Sequence, residues 1–308
     1  MQKNFLWSKE KQPHYLRQKR ILKEYPEIQH LYGYDYRTKY MVTLVWLFQI
    51  WMSIISTEVN WCTLFFLTFF ISGTCNNFLS LAIHECSHNL LFESQKSNEL
   101  YSIFANIPIG VPMAISFKKY HLDHHYYMGD SRKDVDIPTD IETHIFKGRF
   151  GKFMFLVCNP ILYGLRPFLK NAKPVQFLEI INIIVQFFAN KIIYDYLGEK
   201  AILYLLGGTF LGMGLHPLAA HFVSEHYVTE TKAQETYSYY GILNWLTLNV
   251  GYHNEHHDFP KISGLRLPHV HQLAKTHYLQ IHYYKSWLKV INDFIFDPDI
   301  QISSRVKR

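Results

Sequence analysis

Charge is scarce in this chain. Only 18% of its 308 residues are Asp, Glu, Lys or Arg, while aromatic residues reach 17%. A soluble domain carries about 25% charge, so an ordinary water-soluble protein is a poor description. Cysteine is scarce as well. Cys62, Cys75, Cys86 and Cys158 lie in or beside apolar segments and form no paired framework, which excludes a disulfide scaffold and reads as free thiols. No glycine-rich dinucleotide fingerprint is present, nor an internal repeat or low-complexity tract. The first 39 residues are polar and charged, so no cleavable signal peptide is expected. Gln2 stands where N-myristoylation needs glycine, which predicts no such acylation.

Long apolar runs are what the chain does have. Its mean hydropathy of −0.08 averages these runs with His-rich, basic stretches. Crossing a hydrocarbon core of about 30 Å takes about 20 apolar residues. Four segments qualify: about Tyr40 to Ser56, Trp61 to Ile83, Val175 to Leu197 and Ala201 to Phe222. Short connections predict two helical hairpins. Segments 101–117 and 153–169 are apolar but are interrupted by Pro108, Pro112, Pro160 and Pro167, and read as interfacial or capping helices. Lys and Arg number 9 in residues 1–39, 11 in 89–175 and 9 in 223–308. That bias assigns these stretches, and both termini, to the cytosol. The net charge of +6 then fits membrane orientation and anionic lipid, or docking of an acidic protein partner. Nothing points to nucleic acid.

Histidine carries the chemistry. Of 18 histidines, eight fall in three compact groups: His84 and His88 in an HxxxH; His121, His124 and His125 in an HxxHH; His253, His256 and His257 in another HxxHH. Residues three and four apart share a helix face, so each group is expected to aim two or three imidazoles at one point. The topology predicts all three groups on one side of the membrane. His14, His30, His144, His269, His271, His277 and His282 are isolated or loosely spaced and read as surface or interfacial residues. His84-Glu85-xx-His88 also matches the zinc-protease HExxH, with Glu85 as general base. Catalytic zinc needs only three protein ligands, however, whereas eight imidazoles suit two ions, and imidazole accommodates iron. Two irons that activate O₂ would match attack on an alkyl C–H bond of a membrane-held substrate.

These boxes, in this order and topology, resemble the membrane fatty-acid desaturase and hydroxylase superfamily. Further strings are similar to the sphingolipid Δ4-desaturases: Phe117 to His121, Asp134 to Asp140, and Glu235 to Gly241 through Asn249 to Pro260. Tyr25-Pro26-Glu27-Ile28, Arg166-Pro167 and Lys173-Pro174 fit as well. The resemblance covers nearly the whole chain. It implies an all-α integral membrane fold with four transmembrane helices in two hairpins and a cytosolic helical cap holding a histidine-rich di-metal site. Residues 1–39 would be the N-terminal cytosolic segment typical of sphingolipid desaturases, and 40–308 the membrane desaturase domain. The implied reaction is O₂-dependent removal of two hydrogens at C4–C5 of dihydroceramide, with a C4-hydroxylase on the same scaffold as the neighbouring alternative. Two iron ions are implied, without bound flavin or NAD. Electrons would come from cytochrome b5 and NADH-cytochrome b5 reductase at the endoplasmic reticulum, because His216-Pro217 continues Leu-Ala rather than the Gly-Gly of a fused cytochrome b5 domain. The C-terminal Ser304 to Arg308 shows no clear dilysine retrieval signal.

The eight box histidines are the implied ligands, with no catalytic residue beyond them. Relatives place a further ligand near the end of the fourth span, for which His216, His221 and His226 are candidates. His221 and His226 would stand about 140° apart on a helix, and His226, beyond the apolar run, is favoured; a packing role for each stays open. Glu85, Asp123, Glu225 and Glu255 can orient imidazoles through hydrogen bonds or stand as solvated charges. Cys86 reads as a small filler or a soft metal contact. Asn76 and Asn77, inside span two, read as helix–helix hydrogen bonders or markers of a substrate path.

Overall fold

The computed structural model describes residues 5–229 and 234–308; Gln2 lies outside them. Ten helices carry the argument: α1 His14–Glu24, α2 Tyr36–Ile55, α3 Trp61–Ser87, α4 Gln95–Asn106, α5 Ala114–Tyr127, α6 Gly148–Lys170, α7 Phe177–Leu197, α8 Glu199–Gly212, α9 His253–Asp258 and α10 Trp287–Phe296. Among the described residues there are four two-residue strands: β1 Leu6–Trp7, β2 Ser238–Tyr239, β3 Tyr283–Tyr284 and β4 Val306–Lys307. β1 pairs parallel with β4, Leu6 opposite Val306, so the two ends of the chain meet. The fold is all-α and membrane-spanning, as the sequence predicts.

Among the described residues, four segments are long and apolar enough to cross a membrane: Tyr36–Ile55, Trp61–Ser87, Phe177–Leu197 and Glu199–Ser224. They are not equivalent. In α2 and α7 only 22% and 17% of the hydrophobic window is buried, against 61% and 56% in the other two. The second and fourth segments therefore form the inner pair, and α2 and α7 turn Leu44, Trp51, Phe187 and Phe188 outward. Lipid tails are as apolar as leucine, so close packing and hydrogen bonds must hold the inner pair together. Gly73 of α3 lies against Gly212 of α8, where a Cβ on Gly212 would collide with the Gly73 carbonyl. Gln49 donates to Ser72 Oγ at 2.7 Å and Asn76 Oδ1 at 2.9 Å. Asn76 donates to Thr209 Oγ1 at 2.8 Å, and Asn77 to the Gly212 carbonyl at 3.1 Å. Both asparagines thus join helices.

Two sequence expectations change. The fourth span is not one regular helix: it stops at Gly212 and turns again only from Pro217. Pro217 forces the break. It lacks an N–H and pushes His216 into extended backbone, φ −137° and ψ 147°. Pro160 and Pro167, by contrast, do not interrupt α6, which runs 23 residues through both. Each proline removes one hydrogen bond, yet Lys152, Phe155, Leu156, Asn159 and Arg166 dock the helix on its neighbours. Pro108 and Pro112 do mark a break: α4 and its 3₁₀ extension to Ile109 meet α5 at 114°. Asn106 Oδ1 holds the turn by accepting from the Met113 and Ala114 amides at 2.9 and 2.8 Å.

Candidate metal centre

Three helices deliver the boxes. α3, at 27 residues, is about 40 Å long and outruns a hydrocarbon core of about 30 Å, so His84 and His88 sit at its projecting end. α5, turned back by the bend at Pro112, presents His121, His124 and His125. α9 follows a tightly wound loop in which Leu248 and Asn249 adopt positive φ, 48° and 62°. Such backbone is uncommon outside glycine and asparagine. Asn244 holds this loop, accepting from the Asn249 amide through its carbonyl at 3.0 Å and from the Gly251 amide through its side chain at 2.9 Å.

Seven of the eight box histidines and His226 converge, but in two groups that cut across the boxes. His84, His88, His121, His125 and His256 form one; His124, His226 and His257 form the other. In each group the candidate ligand atoms lie within 4.8 Å of one another. His88 and His125 bring their Nε2 atoms to 2.9 and 3.1 Å from His121 Nε2, and His256 Nε2 is 3.0 Å from that of His125. In the second group His226 Nε2 is 3.0 Å from His124 Nε2; His253, outside both groups, brings its Nε2 to 2.9 Å from that of His226. The groups abut, with the His125 and His257 rings 4.2 Å apart. The first box aims both of its rings at one group, but the two HxxHH boxes do not aim at one point. Neighbours on a helix diverge by about 100°, so His124 faces one group while His121 and His125, a full turn apart, face the other.

The supporting carboxylates differ from expectation. Asp134 Oδ1 lies 3.0 Å from His124 Nδ1 and so orients that ring. Its role was missed, although Asp134 heads the acidic string after the second box. Glu225 Oε1 is 3.1 Å from His221 Nδ1 and 3.6 Å from His253 Nδ1, the latter too long for a hydrogen bond. Glu85 lies 3.9 Å from His84 and accepts from Ser263 Oγ and the Gly264 amide. Glu255 accepts from Ser238, Tyr240 and His271, not from a box histidine. Asp123 pairs with Lys173 instead of an imidazole. His221 stays outside both groups, and His216 Nδ1 caps the following 3₁₀ turn by accepting from the Leu218 amide at 3.2 Å. His221 and His226 do not share a helix, which ends at Ser224, so the 140° separation does not apply to them.

His14 and His271 also depart from the surface reading. His14 is buried: its Nδ1 lies 2.7 Å from Asp258 Oδ1, and its ring is 4.8 Å from that of His257. Arg17 donates to Asp258 Oδ2 at 2.6 Å and to Asn254 Oδ1 at 2.8 Å. α1 thereby clamps α9 from behind, over a core of Ile21, Ile28, Phe259, Val270 and Tyr278. No spacing rule flags a contact 241 residues away in sequence.

The donor set suits metal. Burial first, then neighbouring imidazoles, hold His226, His253, His256 and His257 well below the usual imidazole range, so these rings are neutral with lone pairs available. His257 Nε2 is buried without a hydrogen-bond partner among the described residues. Facing Nε2 atoms near 3 Å suit an ion bound at about 2 Å from each, because right-angled positions then lie about 2.9 Å apart.

A fatty acid desaturase model matches residues 60–287, and a sphingolipid Δ4-desaturase model matches residues 1–37. The chain is 47% identical over 307 residues to the sphingolipid delta(4)-desaturase DES1 of Drosophila melanogaster, covering 99% of this chain and 95% of that protein. The Mus musculus protein of the same name is 44% identical over 306 residues, with 99% and 94% covered. The Homo sapiens one is 44% identical over 307 residues, with 99% and 95% covered.

Proposed function

This chain belongs to the fatty acid desaturase family, and from that premise we propose that it is a sphingolipid Δ4-desaturase. It converts dihydroceramide to ceramide by removing two hydrogens at C4–C5. The observation that carries this is the pairing of near-full-length similarity to DES1 proteins with two abutting imidazole groups.

Two irons are the group that fits, with His84, His88, His121, His125 and His256 holding one and His124, His226 and His257 the other; His253 stands at the edge of the second. When bound, they supply O₂ activation strong enough to break an unactivated C–H bond. The chain's own contribution is positioning. α3, α5 and α9 fix the imidazoles, Asp134 sets the His124 tautomer by accepting from its Nδ1, and burial keeps the rings of His226, His256 and His257 unprotonated. Leu81, Phe117, Met213 and Val250 line the cavity beside them. They receive an alkyl chain and keep bulk water from the reacting carbons.

Electrons come from cytochrome b5, reduced by NADH-cytochrome b5 reductase; the basic surface suits an acidic donor. We place the protein in the endoplasmic reticulum membrane with both termini cytosolic, supported by the Lys/Arg bias and by the β1–β4 pairing that puts the two ends on one side. Residues 1–39 are the sphingolipid-type N-terminal segment, and 40–308 the membrane domain.

The test is expression in a host lacking Δ4-desaturase, with dihydroceramide, NADH and microsomal donors, read by mass spectrometry. Loss of two hydrogens, abolished by His124→Ala, is expected. Gain of one oxygen identifies a C4-hydroxylase, and no product with active donors refutes the sphingolipid reading.

A further inference from the structure

A second, smaller cavity adjoins the one beside the histidines. The larger has a volume of about 50 Å³, the smaller about 10 Å³. Asp136, Tyr163 and Phe222 line both, so the two cavities meet at these side chains. The two ends differ in chemistry. Leu81, Met113, Phe117 and Met213 make the larger cavity apolar toward the membrane helices, whereas Asn159, Arg166 and Arg305 line the smaller one.

Arg166 points to a ligand. It is 3% exposed. Its Nε donates to Glu142 Oε1 at 2.8 Å and its Nη1 to the Asp136 carbonyl at 3.2 Å, but its Nη2 is buried with no partner among the described residues. A buried charged donor left unmatched is costly. Asp136 meets Arg305 Nη2 at 2.5 Å, and the Arg305 charge keeps this carboxylate ionised despite burial. Burial and the nearby Asp136 charge push the Tyr163 hydroxyl well above its usual range, so it stays protonated.

We propose that Tyr163, Arg166 and Asp136 form a binding subsite for a hydroxyl group on the carbon next to the one that loses hydrogen. The subsite rests on the sphingolipid reading, under which that group is the C3 hydroxyl of the long-chain base. A hydroxyl donates one hydrogen bond and accepts two. It can donate to the Asp136 carboxylate while accepting from Arg166 Nη2 or Tyr163. A volume of about 10 Å³ suits one water-sized group, so a hydroxyl fits and a bulkier substituent does not. The substrate must pass from apolar chain to polar head within one bond of the reacting carbon, and the wall changes character at Tyr163. This sets the lipid's direction: alkyl chain toward α3 and α8, head toward α6. A plain acyl chain would leave Arg166 Nη2 without a partner, which selects against it.

The test compares dihydroceramide with its 3-deoxy analogue on the full-length, iron-loaded protein with its electron donors. The wild type is expected to favour dihydroceramide in kcat/KM by at least about tenfold. Tyr163→Phe is expected to lower kcat/KM for dihydroceramide about tenfold, leave the analogue within about twofold, keep bound iron per chain unchanged, and weaken displacement of a fluorescent dihydroceramide from metal-free protein. Equal loss on both lipids, or no loss on either, overturns the subsite. The wild-type comparison needs no variant: absence of discrimination there also overturns it. If the wild type desaturates simple acyl lipids and neither sphingolipid, the functional reading itself fails, and the subsite with it.

Discussion

The two histidine groups are built differently. The five-membered group gathers donors from all three boxes but has little behind it: Glu85 is 3.9 Å from His84, and His256 Nδ1 has no partner among the described residues. The three-membered group has fewer imidazoles and more support. Asp134 orients His124, the Glu235 carbonyl lies 3.3 Å from His226 Nδ1, and the His14 ring packs at a tilt against His257. One group relies on ligand number, the other on the groups that fix its ligands. Both reach a converged set of imidazoles, and an ordered ring forfeits less freedom on binding a metal than a mobile one does.

Removing a ligand should strain this difference most. His226→Ala is expected to abolish ceramide formation and lower bound iron toward one per chain. His88→Ala, in the larger group, should retain more iron while losing activity; elemental analysis beside product assay separates them. Equal iron loss in both would break the contrast. Next in size, Arg17→Ala leaves Asp258 buried without its guanidinium partner, which costs about 3–5 kcal/mol and should lower the unfolding midpoint and the activity together. Asp134→Asn should weaken metal affinity about 10–100-fold, read by chelator titration, with the fold intact by circular dichroism. Smallest is Asp123→Asn. That carboxylate pairs with Lys173 near the surface, and a change of about 1 kcal/mol or less with activity within about twofold is expected. A large loss of iron would return it to the site.

Much of this could be read along the chain. The four spans and the box histidines need only local pattern: apolar length for the first, three- and four-residue spacing for the second. The spacing even contains the partition into two groups, since His124 and His125 diverge on one helix while His121 and His125 align. What escaped depends on remote contacts. His14 looked like a surface residue because nothing nearby marks it; it is buried by Asp258, 244 positions away. Asp123 looked suited to orienting a ring, yet it projects toward Lys173. Pro160 and Pro167 looked like helix breakers, but docking outweighs their lost hydrogen bonds.

By itself, then, the sequence determined an all-helical membrane protein with a histidine-rich metal site, because hydrophobic length and helical period are local properties. Only the tertiary structure decided which imidazoles share an ion, which carboxylates steady them, and that the N-terminal helix braces the third box. Those outcomes depend on which side chains meet across long loops, where burial turns a distant charge into a partner.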